Sequence, residues 1–339
     1  MAMNSFKRLT LLAALSVAAV PASAQVGLNK LGQSTMNFQL VSISARSSAL
    51  GDAVYSSAVG SEAIFYNPAG LSEAKDKFDI NFFATQWIAG ISYQAGAVAW
   101  TMGDFGTIGL SALNVDYGEI HATQLVPASG NAQSAVPYID AGDMTNIGGY
   151  SFGLSYGRAI SQDFLIGGTV RYTGQNLGQS LLAGGLKNNN ASLFVFDLGV
   201  KYYTGLKSFR FGMAFRNFSS QIKREEVYEQ LPTTFTISTA MDLFDVINPE
   251  HEKSTSLTLG ADYLHSNNYT ERVNLGLEYL MMDAIALRGG YQTNHDLQSW
   301  SLGMGAFVKV DTYDVQVSYS YSAMEYFDGV NRFSIGVGF

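Results

Sequence analysis

The chain has 339 residues, of which only 14% are charged, with no cysteine and a formal net charge of −8. Ordinary soluble domains are roughly a quarter charged, so something other than charge must keep this chain out of aggregates, and a lipid-facing surface would do so. The missing thiols exclude a lipoprotein anchor, a disulfide framework and a thiolate zinc site, while the acidic balance disfavours nucleic acid as a partner.

Lys7 and Arg8, the apolar run from Leu9 to Val20 and then Pro21-Ala22-Ser23-Ala24 have the three-part layout of a secretory signal peptide, with cleavage expected after Ala24. Losing residues 1–24 would take the net charge to about −10, since Lys7 and Arg8 go with them. The apolar run is too short to cross a bilayer as a helix, and no later stretch reaches the roughly twenty apolar residues a membrane helix needs.

Residues 25–77 lack any two-residue alternation. A helix-like stretch is expected over Ala49 to Val59, followed by Phe65-Tyr66-Asn67-Pro68-Ala69-Gly70-Leu71. Within it Asn67 can bond its own downstream backbone, Pro68 fixes φ, and Gly70 tolerates a left-handed backbone. A compact non-strand segment ahead of a series of strands is expected to sit in a barrel as a hatch.

From Phe78 onward the chain alternates with a period of two, as strands with one greasy and one small, polar face require. Tyr150, Phe152, Leu154 and Tyr156 oppose Ser151, Gly153 and Ser155, and Tyr313, Val315, Val317, Tyr319 and Tyr321 oppose Asp314, Gln316, Ser318, Ser320 and Ser322. Fourteen such segments fall near 78–86, 90–101, 106–116, 147–159, 164–176, 191–204, 208–218, 233–243, 254–266, 271–281, 285–294, 298–309, 313–324 and 331–339. An even count suits a closed bacterial barrel, whose turns are short on the periplasmic side and longer outside. The stretches 117–146, 177–190 and 219–232 are the expected outer loops; the short 87–89 connection and the long 244–253 turn break the alternation of lengths. Trp87, Trp100, Tyr117, Tyr172, Tyr263, Tyr291 and Trp300 fall near strand ends, where aromatic girdles meet the membrane interface.

In the last strand Phe333, Ile335, Val337 and Phe339 alternate with Arg332, Ser334, Gly336 and Gly338, and Phe339 is the final residue. This pattern looks like the C-terminal signal read by the barrel-assembly machinery. A soluble sandwich or propeller would also give many alternating strands, but these are about ten to thirteen residues long, which suits tilted membrane spans better than the five or six typical of soluble sheets. The expected architecture is all-β: a transmembrane antiparallel β-barrel of about 14 strands over 78–339, with outer-membrane lipid around it and the hatch of residues 25–77 within.

Three groups of residues carry a resemblance: the run from Ser44 to Ala53 with Arg46 and Gly51, the Asn67-Pro68-Ala69-Gly70-Leu71 turn, and Gln86-Trp87-Ile88 with Gly106 to Gly109 and Asp116-Tyr117-Gly118. Together they resemble the PorV/PorQ outer-membrane proteins, which are similar in fold to the fatty-acid transporter FadL, a fourteen-stranded barrel with an N-terminal hatch. The resemblance is densest over residues 38–118. It implies a role in type IX secretion, with sorting-domain cargo and other secretion proteins as partners at the outer rim. The Asn-Pro-Ala turn is shared with the FadL branch, so a channel for hydrophobic small molecules stays open as the alternative.

Catalysis finds little support, and no cofactor or metal is expected. Of four histidines, His121 and His295 fall in expected outer loops, His265 at a strand's outer end and His251 in the long periplasmic turn; only His295-Asp296 suggests a pair. Asp79, Arg171, Asp197, Lys201, Arg210, Arg216, Asp262, Glu278, Arg288 and Asp314 occupy the lumen-facing register. With both signs interleaved, they are expected to brace the strands and hold the hatch, since buried charge is tolerable only when paired. Arg46 is expected to reach a lumen carboxylate from within the hatch.

Overall fold

A computed structural model describes residues 34–125, 138–144, 147–182, 185–224, 227–295 and 297–339. The expected leader and its cleavage point lie outside them. Fourteen antiparallel strands close into one barrel. In chain order the strands are β1 (Phe78–Gln86), β2 (Ser92–Thr101), β3 (Thr107–Asp116), β4 (His121–Leu125), β5 (Tyr138–Asp143), β6 (Gly148–Ala159), β7 (Phe164–Leu182), β8 (Gly185–Tyr203), β9 (Arg210–Ser219), β10 (Ile222–Arg224), β11 (Val227–Glu229), β12 (Thr234–Asp242), β13 (Ser256–Ser266), β14 (Arg272–Met281), β15 (Ile285–Gln292), β16 (Gln298–Val310), β17 (Tyr313–Met324) and β18 (Val330–Gly338). The pairs β4–β5 and β10–β11 are separate two-stranded ribbons on the loop side.

The wall sorts its residues by the alternation that defines it. Phe152, Leu154, Leu198, Leu302 and Met304 stand exposed on the outside, while Ser151, Ser155, Ser320 and Ser322 are buried inside. An apolar outer wall without a free sheet edge satisfies the backbone internally and presents only grease to lipid. The chain is a multi-pass outer-membrane β-barrel. Its first and last strands close it: Phe78 and Phe339 exchange both backbone hydrogen bonds, at 2.9 and 3.0 Å, and their rings stack with centroids 5.4 Å apart.

Two elements differ from expectation. The β7–β8 hairpin runs on to Leu182 and Gly185, through most of the stretch taken for a loop. Alternation fades beyond Asn176 because past the hydrocarbon both faces meet water, yet the backbone ladder continues and Gln179 bonds Asn188 across it. In the hatch, no helix spans Ala49 to Val59. One helical turn, Ala45–Ala49, is capped by the Ser44 side chain and stops at Gly51 and Asp52, both at positive φ (59° and 61°). A left-handed pair cannot continue a right-handed helix.

The hatch threads the lumen from end to end. Ser34 bridges to Gln230 on the loop side, and the chain descends until Asp76 lies beside Gly338 at the short-turn rim, where β1 begins. Room for it comes from glycine. Gly260, Gly276 and Gly290 stand in register on β13, β14 and β15. A Cβ on Gly276 would sit 2.6 Å from the Leu50 carbonyl oxygen, and one on Gly290 would sit 2.0 Å from the Gly51 nitrogen. Hatch backbone therefore lies directly on a side-chain-free rung of the wall.

Candidate ligand cavity at the outer mouth

Polar cross-links pin the hatch at three heights. In the middle, Arg46 Nη2 and Nε donate to the Glu278 carboxylate at 2.9 and 3.0 Å, and Arg288 Nε donates to the same group at 2.6 Å. Asn67 Nδ2 donates to the Tyr55 and Val200 carbonyls while its Oδ1 accepts from Ala69, which fixes the Asn67-Pro68 turn ahead of a 3₁₀ helix, Pro68–Glu73. Gly70 packs under the Ala58 carbonyl. Near the short-turn rim, Lys201 and Tyr203 both bond Glu73. Of the lumen-register charges, Asp79 and Asp262 accept from hatch groups, Ser61 Oγ and the Tyr55 amide, and Arg210 donates to the Ser56 carbonyl. Asp314 pairs with Lys309 in the open.

Nearer the loop side, β8 and β9 carry a bulge: Phe196 faces Phe218 and Leu198 faces Phe215, so Arg216 and Asn217 together oppose Asp197. Asn217 takes the left-handed φ of 61° that the extra residue demands, and its amide donates to Asp197 Oδ1 at 2.8 Å. Arg171 clamps Asp197 through two hydrogen bonds, of 2.8 and 2.9 Å, and also bonds Gln39 of the hatch.

Above these anchors a cavity of about 190 Å³ separates hatch from wall. Phe38, Val41, Phe65 and Tyr66 come from the hatch; Leu113, Leu264 and the loop residues Tyr269 and His295 complete it. Four arginines, Arg171, Arg216, Arg272 and Arg332, reach its lining against one carboxylate, Asp52. His295 adds no charge. Its Nδ1 accepts from the Leu297 and Gln298 amides, and burial, helped by Arg272, holds its pKa down to about 3.

Trp87 is a correction to the aromatic girdle. Its ring packs inward and lies 5.3 Å from the Arg332 guanidinium, and Tyr117 also turns in, its hydroxyl accepting from Gln175. Both follow their strands rather than belong to them, so the strand alternation does not govern where they point. Trp100, Tyr172, Tyr263, Tyr291 and Trp300 do stand exposed on the outer wall. Phe333, Ile335 and Phe339 line up outside as well, with Val337 half-buried.

Arg332, Asp52 and Tyr55 join the site without any chemical motif that marks them in the sequence. Arg332 did leave a signal, a long cation in a register otherwise held by Ser334, Gly336 and Gly338. The histidines do not converge: His121 pairs with Asp143 in the open, His265 with Glu271, and His251 lies 3.6 Å from Asp242 in the long turn. Asp296 lies outside the described residues.

No protein-family model matches the chain, and no curated protein matches its sequence. Among solved structures it is similar to the CymD monoaromatic hydrocarbon channel, at 10% identity and a TM-score of 0.53 over 88% of this chain and 97% of that one. It is similar also to the Pseudomonas putida toluene transporter TodX, at 12% identity and a TM-score of 0.53 over 86% and 96%. At this identity the likeness is one of fold. The chain shares the closed-barrel fold of these two channels.

Proposed function

We propose that this barrel takes up small, largely apolar molecules across the outer membrane, receiving them in the cavity at its outer mouth. The carrying observation is that cavity: a recess between hatch and wall with aromatic and aliphatic side chains and a set of polar ones, on the loop side of a barrel similar in shape to proteins described as a hydrocarbon channel and a toluene transporter. Apolar pockets with a few placed polar groups are the usual form of a small-molecule site. Cells lacking the protein should take up labelled monoaromatic compounds more slowly than cells with it; equal uptake over a range of such compounds would remove this reading.

A second reading, cargo handling in type IX secretion, draws on the resemblance around Arg46, Gly51 and Trp87. The surface it would use is the outer rim, where the β4–β5 ribbon exposes Ile139 and the β10–β11 ribbon exposes Val227 and Tyr228. A lumen this firmly filled is a poor conduit for a folded protein, so cargo would bind outside. Its test is direct: proteins with C-terminal sorting domains should stay undelivered in a deletion strain, and truncating 119–143 should reproduce that defect.

A further inference from the structure

Two arginines of the outer cavity have no carboxylate within ion-pair distance; the one carboxylate of the lining, Asp52, acts on both from further off. Arg332 is fully buried on β18. Its Nε donates to the Ser42 carbonyl at 2.9 Å and its Nη1 to Ser322 Oγ at 2.9 Å, while Nη2 has no partner. Arg216, brought to the lining beside the β9 bulge, donates from Nη1 to the Tyr55 hydroxyl at 3.0 Å, and its Nε has no partner. Among the described residues no carboxylate lies within ion-pair distance of either. The contrast with the rest of the lumen is sharp in kind: Arg46 and Arg288 share Glu278, and Arg171 holds Asp197.

An unpaired guanidinium in a desolvated site is costly, several kcal/mol in general before relaxation. A fold that gives three lumen arginines a carboxylate within ion-pair distance and leaves Arg332 and Arg216 only the more distant Asp52 between them has room for an anion there. Guanidinium donors match carboxylate geometry and make the stronger, charge-assisted hydrogen bonds. The rest of the lining mixes apolar and aromatic side chains, such as Phe38, Phe65, Leu113 and Leu264, with neutral polar ones, such as Gln39, Ser111 and Thr234, and Trp87 lies 5.3 Å from the Arg332 guanidinium. A neutral hydrocarbon would fill the greasy part and leave both guanidinium edges unsatisfied, a penalty that discriminates strongly. Size bounds the ligand too. A cavity of about 150 Å³ accepts benzene, so about 190 Å³ has room for one ring with a small polar group.

We propose that the cavity binds a short monocarboxylate with an aromatic or compact apolar body, its carboxylate held by Arg332 and Arg216. This deepens the uptake reading by naming the substrate class. Asn274 Oδ1 and Gln292 Oε1, buried acceptors on the same lining without partners, leave places for a hydroxyl or a bridging water beside the ring.

The test is calorimetric titration of the full-length protein, folded in detergent, with benzoate, benzyl alcohol and acetate. Benzoate should bind at least about tenfold more tightly than benzyl alcohol, which keeps the ring and loses the charge, and than acetate, which keeps the charge and loses the ring. Arg332→Gln and Arg216→Gln should each weaken benzoate about tenfold or more and leave benzyl alcohol unchanged. Equal affinity for benzoate and benzyl alcohol, equal affinity for benzoate and acetate, an absence of benzoate binding, or benzoate affinity untouched by both substitutions would each overturn the proposal. Should Arg332→Gln fail to fold, Arg216→Gln and the wild-type ratios decide. Failure here is separable from failure of uptake: charge-blind binding with intact uptake of neutral aromatics removes only the carboxylate, whereas unchanged uptake in the deletion strain removes the transport reading even where benzoate binds.

Discussion

Arg46 illustrates how one residue type serves two ends in this lumen. It enters from the hatch and shares Glu278 with Arg288, so Glu278 is the keystone and either arginine is the lesser part. Replacing Glu278 with alanine leaves the buried Arg288 without a carboxylate and Arg46 with only Glu62, at 3.8 Å, and should cost about 3 kcal/mol, the low end for a broken buried pair, because Arg46 keeps that second partner. Arg46→Met should cost less, since Glu278 keeps Arg288. Both are measurable as added protease sensitivity of residues 34–77 in otherwise folded protein, and equal sensitivity of the two variants would contradict the ranking. That Arg46 should seek a carboxylate was legible in the sequence, since an arginine in an apolar segment needs one. Which carboxylate it finds was not, because Glu278 is 232 residues away and only barrel closure brings it near.

At the scale of elements, the strands followed from periodicity and the glycine rung did not. A glycine in a strand weakens it unless another backbone must come close. Alternation shows Gly260, Gly276 and Gly290 on the inner face, but their alignment into one rung depends on strand register, which the structure supplies. Gly276→Val should insert and close the barrel normally while loosening the hatch, because its Cβ meets the Leu50 carbonyl. Gly289→Val is the matched control, as its Cβ meets only the Leu302 side chain at 3.5 Å. Greater protease cleavage of the hatch in the first variant and not in the second is the expected result. The last strand makes a different point. Removing Phe339 takes away one ring and one closing backbone pair of a strand still bonded to β1 and β17 along its length. The finished barrel should lose little stability, and the yield of inserted protein should fall much further; wild-type insertion of the deletion variant would refute a role in assembly.

For the whole molecule, closure of the barrel predicts slow unfolding without heat, since there is no edge from which the sheet can fray. Unboiled protein in detergent should migrate differently on a gel from boiled protein, with a strand-dominated circular dichroism spectrum; identical mobility would contradict the closed barrel. The strand count, the membrane-facing stripe, the turn and loop sides and the presence of a non-strand plug were legible in the chain, because each rests on local patterning of neighbouring residues. Where the hatch helix ends, that Trp87 and Tyr117 turn inward, which charges are paired, and that Arg216 and Arg332 lack a close carboxylate came from the folded barrel alone. Those outcomes depend on contacts between segments far apart in the chain, and pairing above all is a property of the closed lumen: a cation's register shows that it faces inward, while its partner is set by whatever the hatch and the opposite wall place there.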